Sequence, residues 1–116
     1  MFYRSADRTA LIQVFRASEP ELSPLDAVKQ ASTHLRGGTR GYEEISVGPV
    51  SGVPGAAELV YQYDSEESRG VRRGVERVLL AADGAKWVVL TAGPAAEWQV
   101  TQDHHAAALA AFRPTG

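Results

Sequence analysis

The sequence predicts an α+β domain, an antiparallel β-sheet flanked by helices. Three observations carry that expectation. Ala57, Leu59, Tyr61 and Tyr63 alternate with Glu58, Val60, Gln62 and Asp64, and a period of two marks a strand with one face more buried than the other. Asp83-Gly84 is a strong hairpin signal between two β-rich runs, and short hairpins build antiparallel sheets. Ser23-Pro24 near one end and Pro94 near the other read as helix starts, with Pro114 as the later stop.

Phe2 and Tyr3 open the chain as a strand, and Ser5-Ala6-Asp7-Arg8 reads as a turn. Residues 9–17 (TALIQVFRA) are β-branched and aromatic, which predicts a second strand, broken by Glu19-Pro20-Glu21-Leu22. Ser23 is suited to cap the free N–H groups of a helix, Pro24 to its first position, and Asp26 to the positive end of its dipole. Leu25, Val28, Ser32 and Leu35 then share a face, and Gly37-Gly38 is expected to end the helix with a positive φ. Residues 42–47 predict a strand, and Pro49 with residues 51–55 a loop. After the alternating strand, residues 65–70 (SEESRG) form a polar turn. Residues 71–82 and 86–92 are the strands joined by Asp83-Gly84. The order is strand, strand, helix, a meander of three or four strands, helix.

A chain of 116 residues argues for one domain, residues 1–116, with enough length to bury a core. Twelve basic against fourteen acidic residues lack the basic footprint of a nucleic-acid binder. With no cysteine there is no disulfide scaffold, thiolate metal site or cysteine nucleophile. The apolar runs are too short to span a bilayer, and MFYRSADRT lacks the layout of a signal peptide. The compartment stays open: cytoplasmic if this is a full-length chain, extracytoplasmic if it is excised from a membrane kinase or a lipoprotein.

The candidate chemistry is sparse. His104 and His105 are adjacent and diverge by about 100° on a helix, so they form no metal motif, and His34 has no sequence partner. His105 falls on the line of Trp98, Leu109 and Phe112, which predicts a core-margin histidine with one hydrogen bond and a solvent-facing His104. On that reading His105→Leu keeps or raises the melting temperature. Val50-Ser51-Gly52 lacks the strand-to-helix setting of a nucleophile elbow. The glycine-rich stretch at residues 37–41 follows a helix and lacks the Lys-Ser/Thr of a phosphate loop. The doublets Glu43-Glu44 and Glu66-Glu67 point opposite ways on a strand and make no carboxylate dyad.

The most notable polar set is Arg69, Arg72, Arg73 and Arg77, with Lys86 across the hairpin. Arg73 and Arg77 share a strand face, about 13 Å apart, with Arg72 opposite. With Glu58, Tyr61 and Tyr63 they are the candidate binding residues for an anionic ligand. The competing reading is cross-strand ion pairing with Glu58 and Glu76. No catalytic residue, metal ligand or cofactor is assigned.

The second half of the chain carries a pattern: Gly41-Tyr42 before a strand, residues 56–61 (AAELVY) before a polar turn, Asp83-Gly84, residues 94–98 (PAAEW) and the closing Phe112-Arg113-Pro114. It resembles the PsbP-like, Mog-type α/β/α sandwich domains of actinobacterial proteins. These include the extracytoplasmic C-terminal domains of certain Ser/Thr protein kinases and related small lipoproteins. The resemblance implies an antiparallel sheet flanked by helices and a non-catalytic sensor, binding or assembly role. The alternatives are a small hydrolase using a histidine with Ser or Asp, and a purely structural self-association module. No H-R-D or D-F-G lies in the chain, so it is not itself a kinase. Such domains usually carry a further segment ahead of the strand matched by Phe2-Tyr3-Arg4. Its absence predicts an exposed sheet edge covered by a second copy or by another part of a parent protein. A small ligand is the other expected partner.

Overall fold

The computed structural model describes residues 2–4, 11–16, 22–53, 55–65, 70–80 and 84–111. The elements are β1 (Phe2–Arg4), β2 (Leu11–Arg16), α1 (Pro24–Gly38), β3 (Arg40–Pro49), β4 (Ala56–Ser65), β5 (Gly70–Leu80), β6 (Lys86–Pro94) and α2 (Trp98–Ala111). A 3-10 turn over Ala95–Glu97 leads into α2. The six strands form one sheet in the order β1-β2-β6-β5-β4-β3, with every neighbouring pair antiparallel. The expected α+β sheet with flanking helices is what the chain forms.

Register assigns each residue to a face. Leu59 lies opposite Glu76, which lies opposite Leu90. One residue back along β4, Glu58 lies opposite Arg77, which lies opposite Val89. The two rows point to opposite sides of the sheet. On the first side α1 packs over β3, β4 and β5. Its Val28 is wholly buried in a cluster with Ala57, Leu59, Tyr61, Val78 and Val88. On the second side α2 packs chiefly on β6, with lesser contact to β2 and β5.

The start of α1 is as expected: Ser23 Oγ accepts from the Asp26 N–H at 3.1 Å and Pro24 opens the helix. Its end differs. Neither Gly37 nor Gly38 takes a positive φ; the helix runs through both to an extended Thr39, whose Oγ1 donates to the Leu35 carbonyl at 2.6 Å. That hydroxyl satisfies a carbonyl which a left-handed glycine would otherwise leave to the backbone. Pro94 both closes β6 and stands as the N-cap of the 3-10 turn that runs into α2, so the helical stretch starts from it as expected. Along α2 the buried residues are Thr101, His105 and Ala108, and the alanines at 106, 107, 110 and 111 are exposed. Phe112, the expected stop Pro114, the turn residues 66–69 and Asp83 lie outside the described residues, as do the side chains of β1. No helix is long and apolar enough to cross a membrane among the described residues.

The edge strands are β1 and β3. Strand β3 shifts register between Arg40 and Glu43 and again between Glu44 and Ser46. Such bulges twist an edge and discourage another strand from adding to it.

One glycine is dictated by a neighbour. On the α1 side Tyr42, Tyr61 and Tyr63 stack, with ring centroids 6.2 and 6.0 Å apart. The buried Tyr61 ring lies over Gly74 on β5, directly opposite it in register. A Cβ on Gly74 would sit 2.6 Å from both Cζ and Oη of Tyr61. Gly74→Ala is therefore expected to cost about 1–3 kcal/mol through overpacking. Chemical denaturation of the single and double variants checks this: in a Tyr61→Leu background the same change should cost markedly less.

Candidate functional site

The α2 side of the sheet collects most of the polar side chains singled out in the sequence. Glu58 projects from β4 and Arg77 from β5 opposite it, and Arg77 Nε donates to Glu58 Oε2 at 2.8 Å. His105 reaches down from α2: its Nε2 lies 3.2 Å from the same Oε2, and its Nδ1 lies 3.1 Å from Thr91 Oγ1 on β6. A carboxylate only accepts, so Nε2–H donates to Glu58, and Nδ1 of the neutral ring accepts the Thr91 hydroxyl proton. The imidazole thus bridges β4 and β6 over β5.

Burial by itself would push the Glu58 carboxyl up. The hydrogen bonds from His105 and Arg77, together with the Arg77 charge, outweigh it and hold the carboxyl below its usual value. Glu58 is therefore ionised at neutral pH. Among the described residues both donors converge on Oε2 and none reaches Oε1.

Two rows further along, Arg73 on β5 donates through Nε and a terminal nitrogen to Gln62 Oε1, at 3.1 and 2.8 Å. Its guanidinium carbon stands 5.3 Å from the centroid of the Trp98 ring on α2. Gln62 in turn donates to Glu43 on β3 at 3.5 Å. Beside Glu58 an open groove of about 360 Å³ runs along β3 and the start of the hairpin loop, lined by residues 46–51 and Glu58.

The five predicted binding residues do not share a face. Glu58, Arg73 and Arg77 lie together on the α2 side, whereas Tyr61 and Tyr63 stack beneath α1. Both arginines are engaged, one by a carboxylate and one by an amide and an indole. The cross-strand ion pair expected for Glu58 is present. Glu76 does not pair with Arg73 or Arg77, because it projects on the α1 side, away from both. Arg72 is also on that side, buried, and Arg69 lies outside the described residues. His105 was expected at the core margin, and it is buried there with two hydrogen bonds rather than one; His104 is half-buried rather than solvent-facing.

A second polar cluster ties α1 to β3. Ser32 Oγ donates to Glu44 Oε1 at 2.8 Å, so the Tyr42 hydroxyl, 2.5 Å away, donates to Ser32. Arg36 lies over the Tyr42 ring, 5.3 Å from its centroid. The Tyr42 phenol is held above its usual value by burial, with the Glu44 charge adding to it and the Ser32 contact working against it.

Thr91, His105 and Glu58 place a hydroxyl, an imidazole and a carboxylate in one hydrogen-bonded line. Thr91 is wholly buried, so its hydroxyl has no approach for a substrate. The line fastens α2 to the sheet. No group of three or more His, Asp or Glu suited to a metal ion occurs among the described residues.

A family model described as serine/threonine kinase C-terminal domain matches residues 1–114. The chain belongs to that family. No curated protein sequence is significantly similar to it. Among solved structures it is similar to PA94 of Pseudomonas aeruginosa, a protein of unknown function. That match has 15% identity and a TM-score of 0.69, and covers 92% of this chain and 74% of that one. It is also similar to LpqN of Mycobacterium tuberculosis, which is involved in cell envelope biogenesis. There the identity is 16% and the TM-score 0.48, over 81% of this chain and 54% of that one. These identities speak to the fold alone. The family supplies a setting, that of a domain accompanying a serine/threonine kinase at its C-terminal end.

Two predictions follow from the Glu58–His105–Thr91 line. His105→Leu strands the buried Thr91 hydroxyl and removes a donor from Glu58. It should lower stability by about 1–3 kcal/mol, reversing the sign expected of a purely packed ring, and adding Thr91→Val should recover part of the loss. Thermal unfolding of the three variants measures this. Because the Glu58 carboxyl is lowered in the fold, its stabilisation is complete above the unfolded value of 4.5 and is lost as pH falls through the folded value. The melting-temperature gap between the parent chain and Glu58→Gln should therefore close in acid.

Proposed function

We propose that the domain is a non-catalytic accessory module of a serine/threonine kinase that binds a protein segment in the groove beside Glu58. One observation carries the reading: a carboxylate held ionised by Arg77 and His105 lines an open groove, and among the described residues no donor reaches its second oxygen. The acid is thus both fixed in place and available. The rest of the wall comes from β3 and its loop, including Ser46 and Ser51. A carboxylate beside hydroxyls suits a segment carrying a basic side chain, with an arginine fork the best match to the free oxygen.

The catalytic alternative loses support because, among the described residues, the hydroxyl joined to His105 is the buried one of Thr91. The anionic-ligand reading loses support because Arg73 and Arg77 already hold partners. A helix on each face of one antiparallel sheet supports grouping the domain with the PsbP-like α/β/α sandwiches. In that setting the groove is a sensing surface, and its occupant is presented by the parent kinase or by a protein the kinase meets.

The test is a backbone-amide NMR titration with two capped tripeptides, Ac-Val-Arg-Val-NH2 and Ac-Val-Glu-Val-NH2. The arginine peptide should shift the amides of residues 46–51 and of Glu58, and the glutamate peptide should not. Glu58→Gln should abolish the response. Equal shifts from both peptides, or an undiminished response in Glu58→Gln, would overturn the proposal.

A further inference from the structure

Strand β5 carries another acid that the Glu58 groove does not use. Glu76 lies on the α1 side, between Leu59 of β4 and Leu90 of β6 in register. It is largely buried, and desolvation, with no hydrogen bond or ion pair among the described residues to offset it, pushes its carboxyl up to about 7. A buried acid without a donor costs free energy, so its place between two leucines calls for a counterpart.

The surroundings define that counterpart. Ser32 and Arg36 turn one flank of α1 toward Tyr42 and Glu44 on β3. Helical spacing then puts Ala27, Ala31 and His34 on the opposite flank, toward β6. The helix is thin on that side, and its footprint is β3, β4 and β5. Beyond it the floor continues with Leu90 on β6 and, opposite Leu90 and Val88 in register, Gln13 and Phe15 on β2. Phe15 is 38% exposed. The Glu76 charge is felt by Tyr61 on β4 and Tyr42 on β3. Arg72 on β5 and Lys86 on β6 share its side of the sheet and are engaged in contacts of their own, and His34 on α1 is exposed.

We propose that this half-open face binds a small amphiphilic cation, a primary amine whose ammonium pairs with Glu76 and whose apolar body rests on Leu90 and Phe15. A neutral ligand would leave the carboxylate unpaired, and an anion would oppose it. This site lies on the opposite side of the sheet from the Glu58 groove and does not depend on it. Since the amine pairs with the ionised acid, binding displaces a proton when pH is below about 7. Affinity then rises up to tenfold per pH unit below that value and levels off above it.

The experiment is an NMR titration of the whole chain with 2-phenylethylamine, and separately with 3-phenylpropionate, at pH 6 and pH 8. The amine should shift the amides of Leu90, Gln13 and Ala31, bind several-fold more tightly at pH 8, and bind at least tenfold more weakly to Glu76→Gln. The propionate should leave these amides in place. Glu76→Gln removes a strained charge, so it should fold, and thermal unfolding checks this independently. The parent chain should lose stability as pH rises from 4.5 through 7, and the variant should not. Glu58→Gln should bind the amine as the parent chain does, which separates this site from the peptide groove. Equal amine affinity in the parent chain and Glu76→Gln, equal binding of the propionate, or a flat pH dependence would overturn the proposal.

Discussion

An α-helix with its side chains is about 10–12 Å across, and neighbouring strands lie about 4.8 Å apart, so one helix covers two or three strands. Six strands flanked by one helix on each side cannot be fully covered. This chain staggers its helices, α1 over β3, β4 and β5 on one side and α2 over β6 and its neighbours on the other. Strand β5 meets both helices, whereas β3 and β4 meet α1 and β6 and β2 meet α2. Val28, Leu59, Val78, Val89 and Thr91, the largest of the fully buried side chains among the described residues, all belong to α1 or to the central strands β4, β5 and β6. Each helix leaves an open half-face, and the two open halves are diagonal to one another. Both carboxylates of interest stand beside an uncovered half.

The two acids show how alternation alone separates electrostatic fates. Glu58 and Glu76 occupy neighbouring strands, yet they point to opposite sides. Glu58 meets a guanidinium and an imidazole and is held ionised; Glu76 meets leucine on both neighbouring strands and is driven toward its neutral form. Deeper burial without donors raises one carboxyl, and shallower burial with donors lowers the other, so the same chemical group shifts in opposite directions. The two shifts also act oppositely on the fold. Glu58 supports it from mildly acidic pH upward, whereas Glu76 burdens it increasingly from pH 4.5 to about 7 and by a constant amount above.

Much of this was legible in the residues. Ser23-Pro24 specified the start of α1 because a hydroxyl cap and a fixed φ act locally. Period-two patterning set the strands, and parity already separated Glu58 from Tyr61 and Tyr63. The same parity placed Glu76 away from Arg73 and Arg77, although matching acids to bases by type suggested a pair. The end of α1 was misread because a threonine side chain replaced the glycine turn, and either device satisfies the last carbonyls. The partners of His105 could not be read, since Thr91 and Glu58 are 14 and 47 residues away and meet it only through the choice of face by α2.

That choice of face links the fold to its binding surfaces. A histidine on a helix rich in alanine has few ways to be satisfied when buried, and here both nitrogens are used by the sheet beneath. With most of its alanines in solvent, α2 has a narrow apolar stripe, so much of its positional specificity rests on His105 and on Trp98 beneath Arg73. These are polar, directional contacts, and they fix where the helix sits as well as that it sits. Sliding α2 toward β3 would close the Glu58 groove, and it would also separate His105 from Thr91 and Trp98 from Arg73. The contacts that make the Thr91–His105–Glu58 line unsuited to catalysis thereby hold the neighbouring groove open, and a fixed, open groove beside an ionised acid is the surface an accessory domain needs in order to bind.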